Sequence, residues 1–225
     1  TIRKRAGKSA DSEGAGDLYI PSCSSHTIVY KGLPLPEKLA SFYVDLEDRE
    51  VKSRLAIVHS RFSTNTNPSW ERAHPYRRIA HNGEINTLSG NVRWMSARES
   101  RLSTHVFREH LQDFKPIVRP GGSDSASLDN VVDFLVAAGR PISEVMMMLV
   151  PEAWESRTDL DPDLRAFYAY HAALTEPWDG PAALVFTDGK RIGACLDRNG
   201  LRPLKSAATE NGLVVLASEL GVLET

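Results

Sequence analysis

The sequence predicts an α+β protein in which short antiparallel strands flank a central block of helices. In the middle third, apolar residues recur at the spacing of helices that pack one face against a core. In the final third, short apolar runs alternate with Asp-Gly and Asn-Gly dipeptides, which are typical of hairpin turns. With 225 residues, of which 41% are hydrophobic, the chain is long enough to bury a sizeable core.

The first third is predicted to hold short strands separated by loops. Residues 6–17 are small, polar and rich in glycine, which indicates a flexible loop. Residues 27–31 and 54–62 have the apolar patterns of strands, and a proline-containing turn leads into a short helix between them. Residues 77–82 predict a further strand, and Asn82-Gly83 at its end predicts a tight turn.

The middle of the chain is predicted to be helical in four places. The first helix covers residues 90–101. The second begins near Ser123 or Ser125 and ends at Gly139, because its apolar residues fall at i, i+3, i+4, i+7 and i+8. The third ends at Pro151, and its three consecutive methionines are expected to fill the core. The fourth begins with Asp161 as its N-cap and Pro162 at its first position.

The last third is predicted to be a β-meander. Its apolar runs are separated by Asp188-Gly189, Asn199-Gly200 and Asn211-Gly212. Each of these dipeptides adopts the positive backbone angles of a two-residue hairpin turn easily. No internal repeat is visible in the sequence.

Composition and charge exclude several classes of protein. The net charge of -2 produces no overall field that would attract nucleic acid or a membrane surface. The basic residues Arg3, Lys4, Arg5 and Lys8 predict a solvent-exposed arm. The only cysteines, Cys23 and Cys195, form no CxxC motif, so neither a disulfide framework nor a cysteine-rich metal site is indicated. A reducing, cytoplasmic setting fits this composition.

Other candidate features are weak. No apolar run approaches 18 residues, and no signal peptide is visible. His105 and His110 are five residues apart, which is unsuited to a helical metal site, and His171 lies among aromatic residues that indicate packing. The chain opens at Thr1 rather than at a methionine, so we expect it to be processed, trimmed or part of a longer protein.

Three polar stretches are candidates for chemistry. The first contains His59, Arg61, Ser63 and Thr64 at the end of a predicted strand. The arginine guanidinium matches a carboxylate with two parallel hydrogen bonds. A surface salt bridge is the alternative interpretation of Arg61, and this stretch alone does not separate the two.

The second and third stretches are AHNGE and GGSDS. The amide of Asn82 can donate to a developing oxyanion, and Gly83 lets a backbone N–H approach the same atom. A simple turn is the alternative. Asp124 can bind an ammonium group, although this stretch also fits a helix cap. Together with Arg61, these residues describe a site for an α-amino acid whose side-chain carbonyl is attacked, without a visible nucleophile.

The motifs of the chain also resemble a known family. The matching motifs occur in the order HSRFSTNT, HNGEINTLSGN, GGSDSASLDN, PEAWE, EPWDGPAALVFTDG and LDRNGLRPL. They resemble the class II glutamine amidotransferase domain of glutamate synthase large chains. The resemblance runs from IRKRA near the start to ASELGVLE near the end, so it covers nearly the whole chain.

The resemblance implies a fold and a set of roles. The fold is the αββα sandwich of N-terminal-nucleophile hydrolases, with two antiparallel sheets between helical layers. Arg61 is implied to bind the glutamine α-carboxylate, and Asp124 its α-amino group. The side chain of Asn82 and the backbone N–H of Gly83 are implied to form the oxyanion hole. Thr64 would line the glutamine pocket, and Glu84 would help to position the site.

The nucleophile implied by the resemblance is an N-terminal cysteine, which would lie upstream of residues 1–225. Neither Cys23 nor Cys195 matches it, and both are expected to be buried, inert thiols. Thr1 carries a hydroxyl and an amine, but it corresponds to the interior of the family's domain. We therefore expect the sandwich to be incomplete in its N-terminal part, with an unpaired sheet edge, and the chain alone to be inactive.

The implied function is a glutaminase that supplies ammonia for transfer to 2-oxoglutarate. The cofactors implied for the parent protein are FMN and an iron–sulfur cluster, and no cofactor or metal is assigned to this segment. The implied partners are glutamine, the remaining domains of the large chain and a small reductase subunit, in the cytoplasm or a plastid. The alternative is a regulatory domain that binds glutamine without hydrolysing it. The electron donor and the oligomeric state are not indicated by the sequence.

Overall fold

The computed structural model describes residues 2–14, 18–61, 67–219 and 221–222. These residues form a mixed helix and sheet structure, as predicted. The helices are α1 (Ile2–Ser12), α2 (Leu39–Phe42), α3 (Leu88–Glu99), α4 (Asp124–Ala137), α5 (Ile142–Leu149) and α6 (Pro162–Ala172), and short 3-10 helices cover Pro36–Lys38, Val44–Leu46, Trp70–Arg72 and Arg108–Phe114. The strands are β1 (Ile79–Gly83), β2 (Ala182–Thr187), β3 (Ile192–Leu196), β4 (Lys205–Ala208) and β5 (Val214–Ala217).

The described strands form two antiparallel sheets. The larger has the order β1-β2-β3, with Ile79 opposite Phe186 and Gly83 opposite Ala182. The smaller consists of β4 and β5. The turns at Asp188-Gly189 and Asn211-Gly212 join paired strands, so these two hairpin predictions are confirmed. Asn199-Gly200 lies between β3 and β4, which belong to different sheets, so the prediction of one continuous meander is wrong.

The four predicted central helices are confirmed as α3 to α6. Of the two serines proposed as caps of α4, Ser123 has this role, since its side chain accepts a hydrogen bond from the Ala126 backbone N–H. The side chain of Asp161 caps α6 through the N–H groups of the first helical turn. The apolar faces of α4 and α5 pack with β1 and β2 in the main core, where Met146 and Met148 are buried. The methionines therefore fill the core, as expected.

The two strands predicted at residues 27–31 and 54–62 are not observed among the described residues of these ranges. Residues 55, 57 and 59 are half-buried and alternate with exposed neighbours, so this segment covers the protein with one side only. The contact with β1 is nevertheless made by a side chain: His59 Nε2 lies 2.9 Å from the carbonyl oxygen of His81. No backbone ladder forms there and Val58 is exposed, so the prediction of a buried strand from this apolar run is wrong.

The N-terminal predictions are also wrong where the structure describes them. Residues 6–12 belong to helix α1, although residues 15–17 of the predicted loop lie outside the described part. The basic residues do not form a solvated arm. Arg3 pairs with Asp133 at 2.7 Å, and Lys4 Nζ donates to the carbonyl of Pro116 at 3.0 Å. These contacts fasten α1 against the turn that precedes α4 and against α4 itself.

The Asn82-Gly83 dipeptide does not form the predicted turn. Both residues belong to β1 and pair with Ala183 and Ala182 of β2. Gly83 has a φ of 139°, which side chains rarely adopt, and a Cβ there would lie 1.8 Å from the carbonyl oxygen of Pro181. The glycine is therefore required by a close approach of two backbones rather than by a hairpin.

We predict that Gly83→Ala lowers the free energy of unfolding by more than about 3 kcal/mol, because the added methyl group overlaps backbone atoms and the φ is unfavourable. Gly90→Ala is the control, since Gly90 lies in α3 with open space around its Cβ position. That substitution is expected to stabilise the protein by roughly 0.5–1 kcal/mol. Urea unfolding of the three proteins checks this, and equal stabilities would contradict the assignment of Gly83.

Candidate active site

The end of β1 presents two hydrogen-bond donors at the outer edge of the sheet. In an antiparallel pair, residues alternate between facing the partner strand and facing away. The Thr187 N–H donates to the carbonyl of Arg78, and the Glu84 N–H donates to the carbonyl of Pro181, so even-numbered residues of β1 face β2. The N–H of Gly83 consequently points away from β2, along an edge where no described residue forms a strand.

The side chain of Asn82 is held beside this edge. Its Nδ2 donates to Ser218 Oγ at 3.1 Å, and Ser218 directly follows β5. An amide nitrogen carries two protons, so one donor remains for a ligand. The contact also joins the smaller sheet to β1, because Asn82 lies in one sheet and Ser218 adjoins the other.

Asp124, at the first turn of α4, lies against the same end of β1. Its Oδ2 accepts the Ile85 backbone N–H at 2.9 Å, and its Oδ1 accepts the N–H of Ser125 at 2.7 Å and the hydroxyl of Ser125 at 3.1 Å. Its side chain is 12% exposed. A carboxylate has about four acceptor positions, so capacity remains for a cation.

Arg61 and Glu84 flank these groups at the surface. The backbone of Arg61 lies beside β1, because its N–H donates to His59 Nδ1 at 3.0 Å and His59 in turn contacts the His81 carbonyl. Both the Arg61 and Glu84 side chains are exposed. Thr64 and Ser63 lie outside the described residues. The structure thus brings together Asn82, Gly83 and Asp124, with the backbone of Arg61 close by.

The loop after β1 is fixed by a segment that precedes β2. The N–H groups of Asn86 and Thr87 donate to the carbonyl of Asp179 at 2.8 and 3.3 Å. Gly180 has a φ of 150°, and a Cβ there would lie 2.2 Å from the carbonyl oxygen of Glu84. The EPWDGP motif therefore has a structural reason, which is to let two backbones touch behind the candidate site.

The LDRNGLRPL motif holds the first residue of β2 from the side of β3. Asp197 accepts hydrogen bonds from the N–H of Ala182 and from the N–H groups of Asn199, Leu201 and Arg202. Burial opposes its charge, but these N–H groups outweigh burial and hold the pKa of Asp197 below its usual value. Because Ala182 pairs with Gly83, the Asp197 carboxylate helps to position the end of β1.

Three buried or half-buried histidines lie behind the candidate site. His59 stacks on His74 at 4.3 Å between ring centroids, and His74 meets the edge of His81 at 5.2 Å. Burial lowers the pKa of all three imidazoles, and neighbouring histidines add to the effect at His74, whose pKa falls to about 2. The sequence analysis singled out only His59 of this cluster. His81 had a signal, because it directly precedes Asn82, but His74 lies in a loop without a recognisable pattern.

The two cysteines differ from each other. Cys195 is half-buried rather than fully buried as predicted, and its surroundings raise the pKa of its thiol to about 12, which agrees with the prediction of an inert thiol. Cys23 is exposed, so its predicted burial is wrong. The segment after Cys23 packs at the turn between β2 and β3, where His26 approaches Gly189. That turn is at the end of β2 remote from Gly83, so Cys23 lies away from the candidate site.

The predicted packing role of His171 is consistent with the structure, since its ring is buried and contacts Phe167 at 4.2 Å between centroids. Within the described ranges, no three His, Cys, Asp or Glu side chains converge as metal ligands would. In the same part of the chain, no helix has the length and apolar character needed to cross a membrane.

Comparison with known proteins shows the family of the chain. The sequence model of the family described as "Glutamine amidotransferases class-II" matches residues 1–225, so the chain belongs to this family. It is 53% identical to the glutamate synthase [NADPH] large chain of Bacillus subtilis over 223 residues, which is 99% of this chain. It is 52% identical to glutamate synthase [NADH] of Saccharomyces cerevisiae over 92% of this chain. It is 48% identical to the chloroplastic ferredoxin-dependent glutamate synthase 2 of Arabidopsis thaliana over 95% of this chain.

The matched regions are a small part of these relatives. The chain spans 15% of the Bacillus subtilis protein, 10% of the yeast protein and 13% of the Arabidopsis thaliana protein. Family membership therefore applies to the amidotransferase domain. The described sheets and helices agree with a mixed fold, while the complete four-layer αββα sandwich stays a prediction.

We predict that the protein loses stability as the pH falls below about 6.5. An unfolded histidine takes up a proton near that pH, whereas native His74 stays neutral down to about pH 2. The unfolded state then binds more protons, so the free energy of unfolding falls by about 1.4 kcal/mol per pH unit for each such histidine. Urea unfolding at pH 7.5, 6.5 and 5.5 measures the slope.

The control for this prediction compares two histidines. His74→Gln is expected to reduce the slope of stability against pH, because it removes a buried titrating group. His105→Gln, at an exposed position, is expected to leave the slope as it is. An equal slope in the wild type and in His74→Gln would contradict the prediction.

Proposed function

We propose that residues 1–225 contribute the glutamine-binding and oxyanion-stabilising groups of a glutaminase within a glutamate synthase large chain. One observation carries the proposal: the Asp124 carboxylate accepts the Ile85 N–H at 2.9 Å, which places it next to the Asn82-Gly83 end of β1. The names of the relatives, which are glutamate synthases of three electron-donor types, support it.

In this proposal, glutamine is bound at its α-carbon by two opposite charges. The Arg61 guanidinium binds the α-carboxylate with its planar pair of donors, and Asp124 accepts the α-ammonium. The residual exposure of the Asp124 side chain and the exposed Arg61 side chain fit ligand access from solvent. Thr64 would line the pocket, and Glu84 would help to position it.

The oxyanion would be stabilised by the remaining Asn82 amide proton and the Gly83 N–H. A thiolate attacks the side-chain carbonyl carbon of glutamine, and the negative charge that forms on its oxygen is met by these two donors. The carbon–nitrogen bond then breaks and ammonia leaves with a transferred proton. Water hydrolyses the resulting thioester, which releases glutamate and regenerates the thiol.

We infer that the thiolate is not supplied by either cysteine of this chain. Cys195 has a pKa near 12, which keeps it protonated at neutral pH, and Cys23 lies towards the end of the sheet remote from Gly83. We therefore expect residues 1–225 alone not to hydrolyse glutamine. A cysteine outside this range would act on glutamine held here.

The ammonia is proposed to be used by other domains of the parent chain, with 2-oxoglutarate as acceptor. FMN and an iron–sulfur cluster are proposed to be bound by those other domains, and a small reductase subunit is proposed as their partner. Cys23 and Cys195 form none of the spaced cysteine motifs of cluster ligands, so the cluster is assigned to those other domains. The setting is proposed to be the cytoplasm or a plastid, and the Arabidopsis relative is named chloroplastic.

A non-catalytic glutamine-binding or regulatory role is the alternative, and turnover separates the two. We predict that Asn82→Ala in the full-length protein lowers the turnover of glutamine by about 10²-fold, which is the usual effect of removing one oxyanion donor. The assay is glutamate release from glutamine. Asn86→Ala is the matched control, since Asn86 is exposed in the neighbouring loop.

An unchanged rate in Asn82→Ala would contradict the oxyanion assignment. Full-length wild-type protein that binds glutamine but releases no glutamate would instead favour the regulatory alternative.

We predict that Asp124→Asn raises the KM for glutamine on the order of 10- to 100-fold, because it removes one charge-assisted contact with the α-ammonium. The asparagine retains an acceptor for the Ile85 N–H, so the local backbone is expected to stay in place. The control is Asp163→Asn, which changes an exposed aspartate in the first turn of α6. An unaltered KM in Asp124→Asn would remove the ammonium-binding role.

A further inference from the structure

Ser125 connects the Asp124 carboxylate to His81 of β1. The Ser125 side chain is fully buried, and its hydroxyl donates to Asp124 Oδ1 at 3.1 Å while its Oγ lies 2.5 Å from His81 Nε2. The backbone N–H of Ser125 also donates to Asp124 Oδ1. Among the described residues, this one serine thus supplies two of the three hydrogen bonds that the carboxylate accepts.

The protons of this chain of groups can be assigned. A serine hydroxyl has one proton, and a carboxylate only accepts. If Ser125 gives its proton to Asp124, its oxygen accepts a proton from His81, so His81 carries its hydrogen on Nε2. His81 Nδ1 is buried without a hydrogen-bond partner among the described residues, which fits a neutral ring with a bare nitrogen there.

The position of His81 is itself well determined. Its backbone pairs with Leu184 of β2, and its carbonyl oxygen lies 2.9 Å from His59 Nε2. Its ring is covered by His74. His81 directly precedes Asn82. Strand β1 therefore carries both the proposed oxyanion donors and His81, whose Nε2 begins the series of hydrogen bonds to Asp124.

We propose that Ser125 and His81 are positioning residues that orient Asp124 towards the α-ammonium of glutamine. The inference rests on the proposed function and deepens it, because it names two residues that act on the substrate through a third. An oriented carboxylate contributes equally to the ground state and the transition state, so its loss raises KM and leaves kcat nearly unchanged. A serine that served only to pack the helix would not produce this separation.

The first test compares buried hydroxyl groups of α4 in the full-length protein. Ser125→Ala is expected to raise the KM for glutamine roughly tenfold with little change in kcat. Ser127→Ala is the matched control, because Ser127 is also buried on α4 but donates to the carbonyl of Ser123. Equal KM values in the two variants would overturn the inference.

The second test examines the donor on His81. His81→Gln places a side-chain N–H near the position of Nε2 and is expected to keep the KM within about threefold of the wild-type value. His81→Phe fills the space without a donor and is expected to raise the KM as Ser125→Ala does. Thermal unfolding of both variants reports whether they fold. A raised KM in folded His81→Gln would contradict the proton assignment and overturn the proposed positioning role of His81.

The third test is a double-mutant cycle. If Ser125 acts through Asp124, then adding Ser125→Ala to Asp124→Asn is expected to leave the KM of Asp124→Asn unchanged. If the effects of the two substitutions on KM multiply in the double variant, the inference is overturned. An unchanged KM in Asp124→Asn would remove the ammonium-binding assignment and this inference with it, whereas a raised KM there with a normal KM in Ser125→Ala would overturn this inference alone.

Discussion

The hydrogen bond from the Ile85 N–H to the Asp124 carboxylate is the contact on which the candidate site depends. Asp124 is the first residue of α4, and Ile85 is the second residue after β1. The bond therefore joins the beginning of a helix to the end of a strand, although the two are 39 residues apart in sequence. Without it, the Asp124 carboxylate and the hydrogen-bond donors of Asn82 and Gly83 would have no fixed distance from one another.

The second constraint is the closeness of backbones around that bond. Gly83 and Gly180 both have positive φ, and each approaches carbonyl oxygens of the facing segment at distances that exclude a side chain. Asp197 accepts N–H groups of the turn that follows β3 and the N–H of Ala182, the residue of β2 that pairs with Gly83. A polar site at the end of a sheet has no apolar core packed over it. The backbone groups beside it therefore need hydrogen-bond partners, which these contacts supply.

Burial of the histidines links stability to the site. His59, His74 and His81 are held as neutral rings by their surroundings, and His81 reaches the Ser125 hydroxyl beside Asp124. A protonated ring in this cluster would face other imidazoles and a low local polarity. The candidate site therefore has the Asp124 carboxylate at its surface and uncharged imidazole rings behind it.

The central helices and two of the hairpins follow from the sequence, because helical periodicity, N-caps and Asp-Gly or Asn-Gly turns depend on local chemistry. The sequence motifs also predict Asn82, Gly83 and Asp124 as candidate site residues. Tertiary contacts are needed to see that Asn82-Gly83 is strand rather than turn, that residues 54–61 do not join the sheet, and that the basic N-terminus is anchored. Those outcomes depend on what lies opposite each residue: the carbonyl of Pro181 for Gly83, the His81 carbonyl for His59, and Asp133 for Arg3.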